Sequence, residues 1–325
     1  MAKCFGNTSA AASRWAEFRM LQLFTHTVCL QHDPGPGHPE SPARLHAVLE
    51  ALDQDRFAAV DRVEAPRATR EQLLRVHTPA HVERILAITP DADTVRLDED
   101  TLMSSSSAEA GLRAAGALVA AVDAVMTGAA TRAFCAVRPP GHHATPDTAM
   151  GFCLFNNVAV GAAHALTAHG LKRVAIADFD VHHGNGTQDI FQREPRVLFI
   201  SSHQHPLYPG TGSPDEQGVG NIVNAPLSSG EGTYEFRELW NDVLMPKLHA
   251  FKPQLVLVSA GFDAHQRDPL ANLQLQTEDY AWITERLVDL ARAHAGGRLV
   301  STLEGGYDLQ ALAASVSAHV SALLD

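Results

Sequence analysis

VAIADFDVHHGNGTQ, residues 174–188, is the stretch on which both fold and chemistry turn. Val174, Ala175 and Ile176 read as a buried parallel strand, because a strand covered on both faces shows a continuous apolar run rather than an alternation. Asp178, Asp180 and His182 then fall on one side as the chain leaves the core. Gly184 and Gly186 permit a tight exit turn. Three ionisable groups buried so close together cost on the order of several kcal/mol each unless a cation or dense hydrogen bonding compensates. A divalent metal held at the end of a parallel strand accounts for both halves of the segment.

The same sequence of apolar run and polar cluster recurs from about residue 130 onward. Strands are expected at 133–137, 174–177, 197–201, 255–259 and 298–303, separated by helical stretches such as 157–168, 234–248 and 278–293. That is the pattern of βαβ units and a parallel sheet covered by helices. The first 130 residues read as mainly helical, with helices at 41–52, 79–87 and 108–126 and a polar loop at 101–107. There is no internal repeat and no obvious linker, so residues 21–325 are expected to form a single catalytic domain. Residues 1–20 carry Lys3, Arg14 and Arg19 among Ser and Ala but also Glu17, and read as an N-terminal extension rather than a targeting peptide.

Composition sets the outer bounds. The chain has 325 residues, 45% of them hydrophobic and 19% charged, which is ordinary for a globular protein. A formal net charge of −12 argues against a phosphate-neutralising nucleic-acid surface and suits a cationic substrate meeting an acidic rim. Cys4, Cys29, Cys135 and Cys153 form no CxxC pair, so a reducing, cytoplasmic compartment is expected. No apolar run is expected to approach the roughly 20 residues of a membrane helix.

Every expected strand runs directly into a polar cluster: RPPGHH (138–143), DFDVHHGNG (178–186), SSHQH (201–205), GFDAHQRDP (261–269) and EGGYD (304–308). Ligands of an open parallel sheet bind beyond the carboxyl ends of its strands, so these clusters should converge. Asp180 and His182 supply two metal ligands, and Asp263 is the best remote third. Oxygen and nitrogen donors without thiolate suit Zn2+, Fe2+, Mn2+ or Co2+, and three protein ligands leave positions for water and substrate. His142 and His143, on a turn stiffened by Pro139 and Pro140, are candidate proton carriers. In a chain with 18 histidines such a pair is more often structural, and its place after a strand is what raises it. Tyr307, behind Gly305 and Gly306, can be aimed inward as an oxyanion donor. Phe152 and Tyr208 can wall an apolar channel, and Asp178 can orient a histidine. His203, Asp268 and Glu304 are supporting polar residues of the crevice, and Cys153 is a small buried filler.

Taken together, RPPGHHA, GFCLFNN, DFDVHHGNGTQ, PGTG, SAGFDAH and EGGYD resemble the histone deacetylase superfamily, which includes acetylpolyamine amidohydrolases. The resemblance runs from GHPESPARL (37–45) to the last helix. It implies the arginase/deacetylase fold, a three-layer α/β/α domain with a mainly parallel sheet of eight strands. It also implies Asp180, His182 and Asp263 as ligands of one Zn2+, His142 and His143 as the acid/base pair, and Tyr307 as the carbonyl-polarising phenol. Asp178 would hydrogen-bond His142, Phe152 and Tyr208 would flank the acyl-lysine channel, and Gly151 would offer its carbonyl to substrate. Arg44 would line an inner cavity, and K+ would sit beneath the zinc site through Asp178, Asp180, His182 and Ser201.

Asn185 stands where one major class of the family has an aspartate partner for the second histidine, so the chain is similar to class II-like and bacterial members. Tyr208 stands where phenylalanine is common, and Leu270 where a polyamine-selective relative has glutamate, which mildly favours acyl-lysine. The expected activity is zinc-dependent removal of acetyl or other acyl groups from N-ε-acyl-lysine in a peptide or protein. The alternatives are an acetylated polyamine or other small amide as substrate, a non-catalytic acyl-lysine-binding scaffold, and an arginase-like two-manganese hydrolase. Neither nucleic acid nor membrane is an expected partner, and homo-oligomerisation is compatible with the sequence.

Overall fold

The computed structural model describes residues 19–91 and 94–325. The N-terminal extension expected over residues 1–20 therefore lies, up to residue 18, outside the described residues. Arg19 and Met20 already belong to a strand.

In chain order the strands are β1 (Arg19–Thr25), β2 (Asp61–Glu64), β3 (Val95–Arg96), β4 (Leu102–Met103), β5 (Ala130–Cys135), β6 (Val174–Asp178), β7 (Val197–Gln204), β8 (Ile222–Leu227), β9 (Leu255–Ala260) and β10 (Leu299–Leu303). The α-helices are α1 (Pro42–Leu52), α2 (Arg70–Leu73), α3 (Pro79–Ala87), α4 (Ser107–Thr127), α5 (Asn157–Thr167), α6 (Asn185–Phe191), α7 (Thr233–Leu239), α8 (Met245–Phe251), α9 (Thr277–His294) and α10 (Leu309–Leu324). Eight strands form one sheet in the order β2-β1-β5-β10-β9-β6-β7-β8. Every pairing within it is parallel. Helices α4 and α5 pack on each other in one helical layer, and α1, α10 and α9 pack in succession in another. This is the three-layer architecture the motifs imply.

All five strands expected after residue 130 are present, and the helical stretch expected at 234–248 is α7 and α8 joined by a π-helical turn, Trp240–Leu244. The reading of the first 130 residues as helical is corrected by β1 and β2, and the polar loop expected at 101–107 contains β4, paired antiparallel with β3. β8 was also unexpected. β2 and β8 are the two edges of the sheet, where one flank is unpaired and the apolar signal is diluted. In β2 burial alternates between half-buried and exposed residues. β1 is interior, but its apolar run is broken by Gln22, which bonds Asp61 of β2 at 2.8 Å.

The expectation that no apolar run reaches membrane length is corrected as well. The 21 residues of α4 are long and apolar enough, with mean hydropathy 1.4, but two thirds of that window is buried inside the domain. It is an alanine-rich core helix pressed on β1, β5 and β10.

The fold matters for function through one geometric fact. Because the sheet is parallel, β5, β6, β9 and β10 all end at the same pole, and the polar clusters that follow them meet there.

Candidate active site

At that pole the side chain of His182 points Nδ1 at Asp180 Oδ1 (3.1 Å) and at Asp263 Oδ2 (3.2 Å). One donor atom from each of the three residues lies within 4.8 Å of the others, the geometry of a group able to hold a metal ion. The remaining lone pairs are tied down by backbone amides. His182 N–H and Gly305 N–H donate to the two oxygens of Asp180, at 2.9 and 2.8 Å, and Val181 N–H donates to Asp263 Oδ1 at 2.9 Å. Glycine is required here for space, since a Cβ on Gly305 would lie 1.9 Å from Asp263 Oδ2 and one on Gly261 would lie 2.0 Å from Asp180 Oδ2. Burial works against a proton on His182, but its two carboxylate neighbours prevail and raise it to about 10. The field that holds that proton is the field that attracts a divalent cation, and a rigid set of two carboxylates and one imidazole fits such an ion.

Two more buried carboxylates complete the floor. Asp178 Oδ2 is 3.0 Å from His142 Nδ1. Glu304 accepts from the backbone N–H of Gly141 (2.6 Å) and His142 (3.2 Å) and from Ser259 Oγ (3.1 Å), which fixes the RPPGHH loop against β9 and β10. Burial pushes Glu304 up to about 7, partly offset by His142. Burial also raises Asp178, to about 6, against the pull of His142.

The adjacent histidines are driven apart. For His142 burial opposes protonation, but Asp178 and Asp180 outweigh it and bring the imidazole to about 10. For His143 burial, reinforced by the charges of His142 and His182, holds the ring well below its ordinary value. His143 Nδ1 is 2.8 Å from Asn185 Oδ1, an acceptor, so Nδ1 carries the hydrogen and Nε2 keeps its lone pair. Asn185 is itself oriented by its Nδ2–H donating to Met150 Sδ at 3.4 Å. The result is one charged imidazole and one neutral one, their ring centroids 4.0 Å apart.

A pocket of about 220 Å³ opens onto these groups, lined by His143, His182, Gly151, Phe152, Tyr208, Leu270 and Tyr307, with Leu207 and Asp100. Tyr208 stands edge-on to His143, with centroids 5.2 Å apart, and Phe152 stands edge-on to Tyr307 at 5.9 Å. Phe152 has φ +67°, a left-handed backbone that a bulky residue adopts only when its surroundings enforce it. The Thr101 hydroxyl, accepting from Phe152 N–H at 3.0 Å, contributes to that enforcement. Tyr307 makes no side-chain hydrogen bond to the described residues, so its hydroxyl is available to the pocket. Burial keeps the phenol protonated, with Arg44 opposing and Asp263 and Asp180 assisting.

Arg44, expected at an inner cavity, is fully buried beneath Tyr307, its guanidinium 4.8 Å from the ring centroid. It donates to the carbonyls of Gly306 (2.6 Å) and Glu304 (2.5 Å) and to Glu40, which also pairs with Arg138. Asp268 accepts from the N–H groups of Tyr307 (2.7 Å) and Leu270 (3.0 Å), tying the phenol to the channel rim. His203 lies outside the pocket lining, bonded to Ser201 Oγ (2.9 Å) and Gly212 O (3.1 Å). Cys153 is buried, and burial pushes its thiol up, as suits a filler.

Residues 38–323 match the model of the histone deacetylase domain. The chain belongs to the histone deacetylase family. A histone deacetylase-like amidohydrolase of Pseudomonas aeruginosa is 40% identical over 89% of this chain and 82% of its own length. Histone deacetylase 14, chloroplastic, of Arabidopsis thaliana is 39% identical over 93% of this chain and 76% of its own. The crystal structure of the HDA15 HD domain superposes with a TM-score of 0.90 at 38% identity, covering 94% of this chain and 88% of that one. This chain is accordingly a hydrolase of the deacetylase and amidohydrolase type.

Several residues of this histone deacetylase-family site escaped the sequence reading, Leu207 of the pocket wall among them. Asp100 lines the pocket from just ahead of the expected polar loop at 101–107, a position to which the sequence reading gave no role. Asn156 caps α5 by accepting from Ala159 N–H (3.0 Å) and donates to Ala144 O (3.1 Å), while Asn157 donates to Pro139 O (3.1 Å). The GFCLFNN motif therefore holds the histidine loop in place. The tandem asparagines at the start of an apolar helix were the available signal, since such residues cap helices.

Proposed function

We propose that this hydrolase removes acetyl or other short acyl groups from the ε-amine of lysine in peptides or proteins, with one Zn2+ held by Asp180, His182 and Asp263. The observation that carries the reading is the narrow pocket walled by Phe152 and Tyr208 and ending at His143, His182 and Tyr307. It suits an extended alkyl chain with an amide at its tip. When bound, the metal supplies Lewis acidity that polarises the amide carbonyl and acidifies water.

The chain's own residues do the rest. His143, neutral and with a free Nε2 lone pair, takes the proton from water and returns it to the leaving amine, while His142, charged and paired with Asp178, stabilises developing negative charge. Tyr307 donates its hydroxyl hydrogen to the oxyanion of the tetrahedral intermediate. Gly151, held at φ +55° where a Cβ would strike His143, presents its backbone to the substrate. K+ is assigned to the layer beneath, where Asp178 and Ser201 lie opposite each other in the β6–β7 register, together with Asp180 and His182.

Leu270, an apolar residue at the rim, favours acyl-lysine over a substrate with a second cationic group. The test is acetate release by zinc-loaded protein from an acetyl-lysine peptide and from an acetylated polyamine, side by side, with a chelator control. Chelator-sensitive turnover of the peptide is expected. Turnover of the polyamine alone would move the substrate to small amides, and silence on both would overturn the reading.

A further inference from the structure

A second histidine–carboxylate cluster lies away from the catalytic pole. His164 Nε2 and His169 Nε2 each stand 2.7 Å from the same oxygen, Asp123 Oδ1, and the donor atoms of the three residues fall within 4.8 Å of one another. Asp123 is on α4 one turn before its end, His164 on the last turn of α5, and His169 in the turn that follows. Both helices end before the strands that succeed them begin, α4 leading into β5 and α5 into β6. The cluster therefore sits at the amino ends of strands whose carboxyl ends carry the active site.

The surroundings favour a cation. The carboxyl ends of α4 and α5 meet there, and each brings the negative end of a helix dipole. His164 is buried, whereas His169 is partly and Asp123 about half exposed, so solvent reaches the cluster from the side of His169 and the carboxylate.

One neighbour works the other way. Arg75 Nη1 lies 2.8 Å from His164 Nδ1, and as a pure donor it requires a lone pair on that nitrogen. A metal on Nε2 moves the ring hydrogen to Nδ1, facing Arg75. Arg75 also holds Glu71 at 3.2 Å and can retain that contact when it leaves the ring.

We propose that Asp123, His164 and His169 form a second divalent-metal site, taking a zinc-type transition ion through two imidazole Nε2 atoms and one carboxylate, with water completing the coordination. Such a set follows from donor chemistry, since imidazole and carboxylate without thiolate suit zinc-type ions. The ion would clip the carboxyl ends of α4 and α5 together and stabilise the fold by mass action.

The test is equilibrium dialysis of metal-stripped protein against zinc, with metal analysis and thermal unfolding. About two equivalents are expected in the wild type and about one in Asp123→Asn and in His169→Ala, both at accessible positions that leave the catalytic ligands intact. In Asp263→Asn the equivalent that remains should still raise the unfolding midpoint, which separates this site from a binuclear catalytic centre. Arg75→Leu should tighten the second equivalent several-fold. A single equivalent in the wild type, a second one untouched by Asp123→Asn and His169→Ala, or a second one weakened by Arg75→Leu would each overturn the assignment.

Discussion

His142 and His182 in the crevice and His77, His203 and His319 in the scaffold are all buried, yet their protonation is driven in opposite directions. Burial lowers every one of them. In the crevice Asp178, Asp180 and Asp263 override it and raise both rings to about 10. In the scaffold the hydrogen-bonding partners are neutral, and the rings fall to about 3. His319, for example, lies between Thr284 Oγ1 (2.6 Å) and Ser301 Oγ (2.8 Å). The charge of a buried imidazole follows the balance between burial and the charged groups beside it: carboxylates prevail at His142 and His182, whereas at His32 burial, helped by Arg138, prevails over Glu40 at 3.2 Å. The crevice sets carboxylates against its imidazoles, where a cation would balance them, whereas these three scaffold rings have no carboxylate bonded to them among the described residues.

The sharpest way to break this contrast is to remove a crevice carboxylate. Asp180→Asn should lower the bound zinc by the one equivalent held at the catalytic pole and lower turnover by at least about 10³, because the several kcal/mol contributed by that metal is lost. Metal analysis and acetate release check it, and retained zinc with retained activity would show that the anions serve another purpose. Tyr307→Phe removes one oxyanion donor and should lower kcat by roughly 10² to 10³ with KM little changed. A near-wild-type kcat would remove the phenol from the chemistry.

Asp178→Asn tests the charge argument directly. It should lower turnover by about 10- to 100-fold, as for other residues that orient a catalytic ring, and bring the His142 titration down toward that of an ordinary imidazole. Histidine NMR would follow the ring, and an unmoved titration would show that Asp178 is not what holds the proton.

The smallest effect belongs to the scaffold. Histidines depressed to about 3 bind fewer protons when folded than when unfolded, so they contribute stability that is present above pH 6.5 and lost as pH falls from there toward 3. Each adds at most about 1.4 kcal/mol per pH unit inside that window. His319→Gln should lessen the slope of stability against pH by up to one proton, read from urea unfolding between pH 4 and 7. An unchanged slope would mean that His319 is protonated in the fold.

Much of this site was legible because parallel-strand periodicity is local. Asp180 and His182 sit two residues apart just beyond the end of β6, so their place after a strand marked them, although the chain bends there and it is the packing against Asp263 that brings their ligand atoms together. His142, His143 and Tyr307 were found for the same reason, each following directly on a strand. Asp100 was missed because it approaches the pocket from a segment with no periodicity, and β2 and β8 because edge strands lack the two-sided burial that makes an apolar run. The roles of Asn156 and Glu304 depend on bonds to the backbone of the histidine loop, and a backbone acceptor or donor leaves no mark in side-chain pattern.

By itself the sequence determined the parallel α/β architecture and the identity of the polar residues at each strand end, since these follow from spacing along one chain segment, and its motifs carried the resemblance to the family. Only the tertiary structure decided which of those residues meet, which imidazole of the His142–His143 pair keeps its proton, and that Asp123, His164 and His169 converge at the opposite pole. Those outcomes depend on fields and distances between elements far apart in the chain, and Coulombic and hydrogen-bonding energies are set by separation in space rather than by position in sequence.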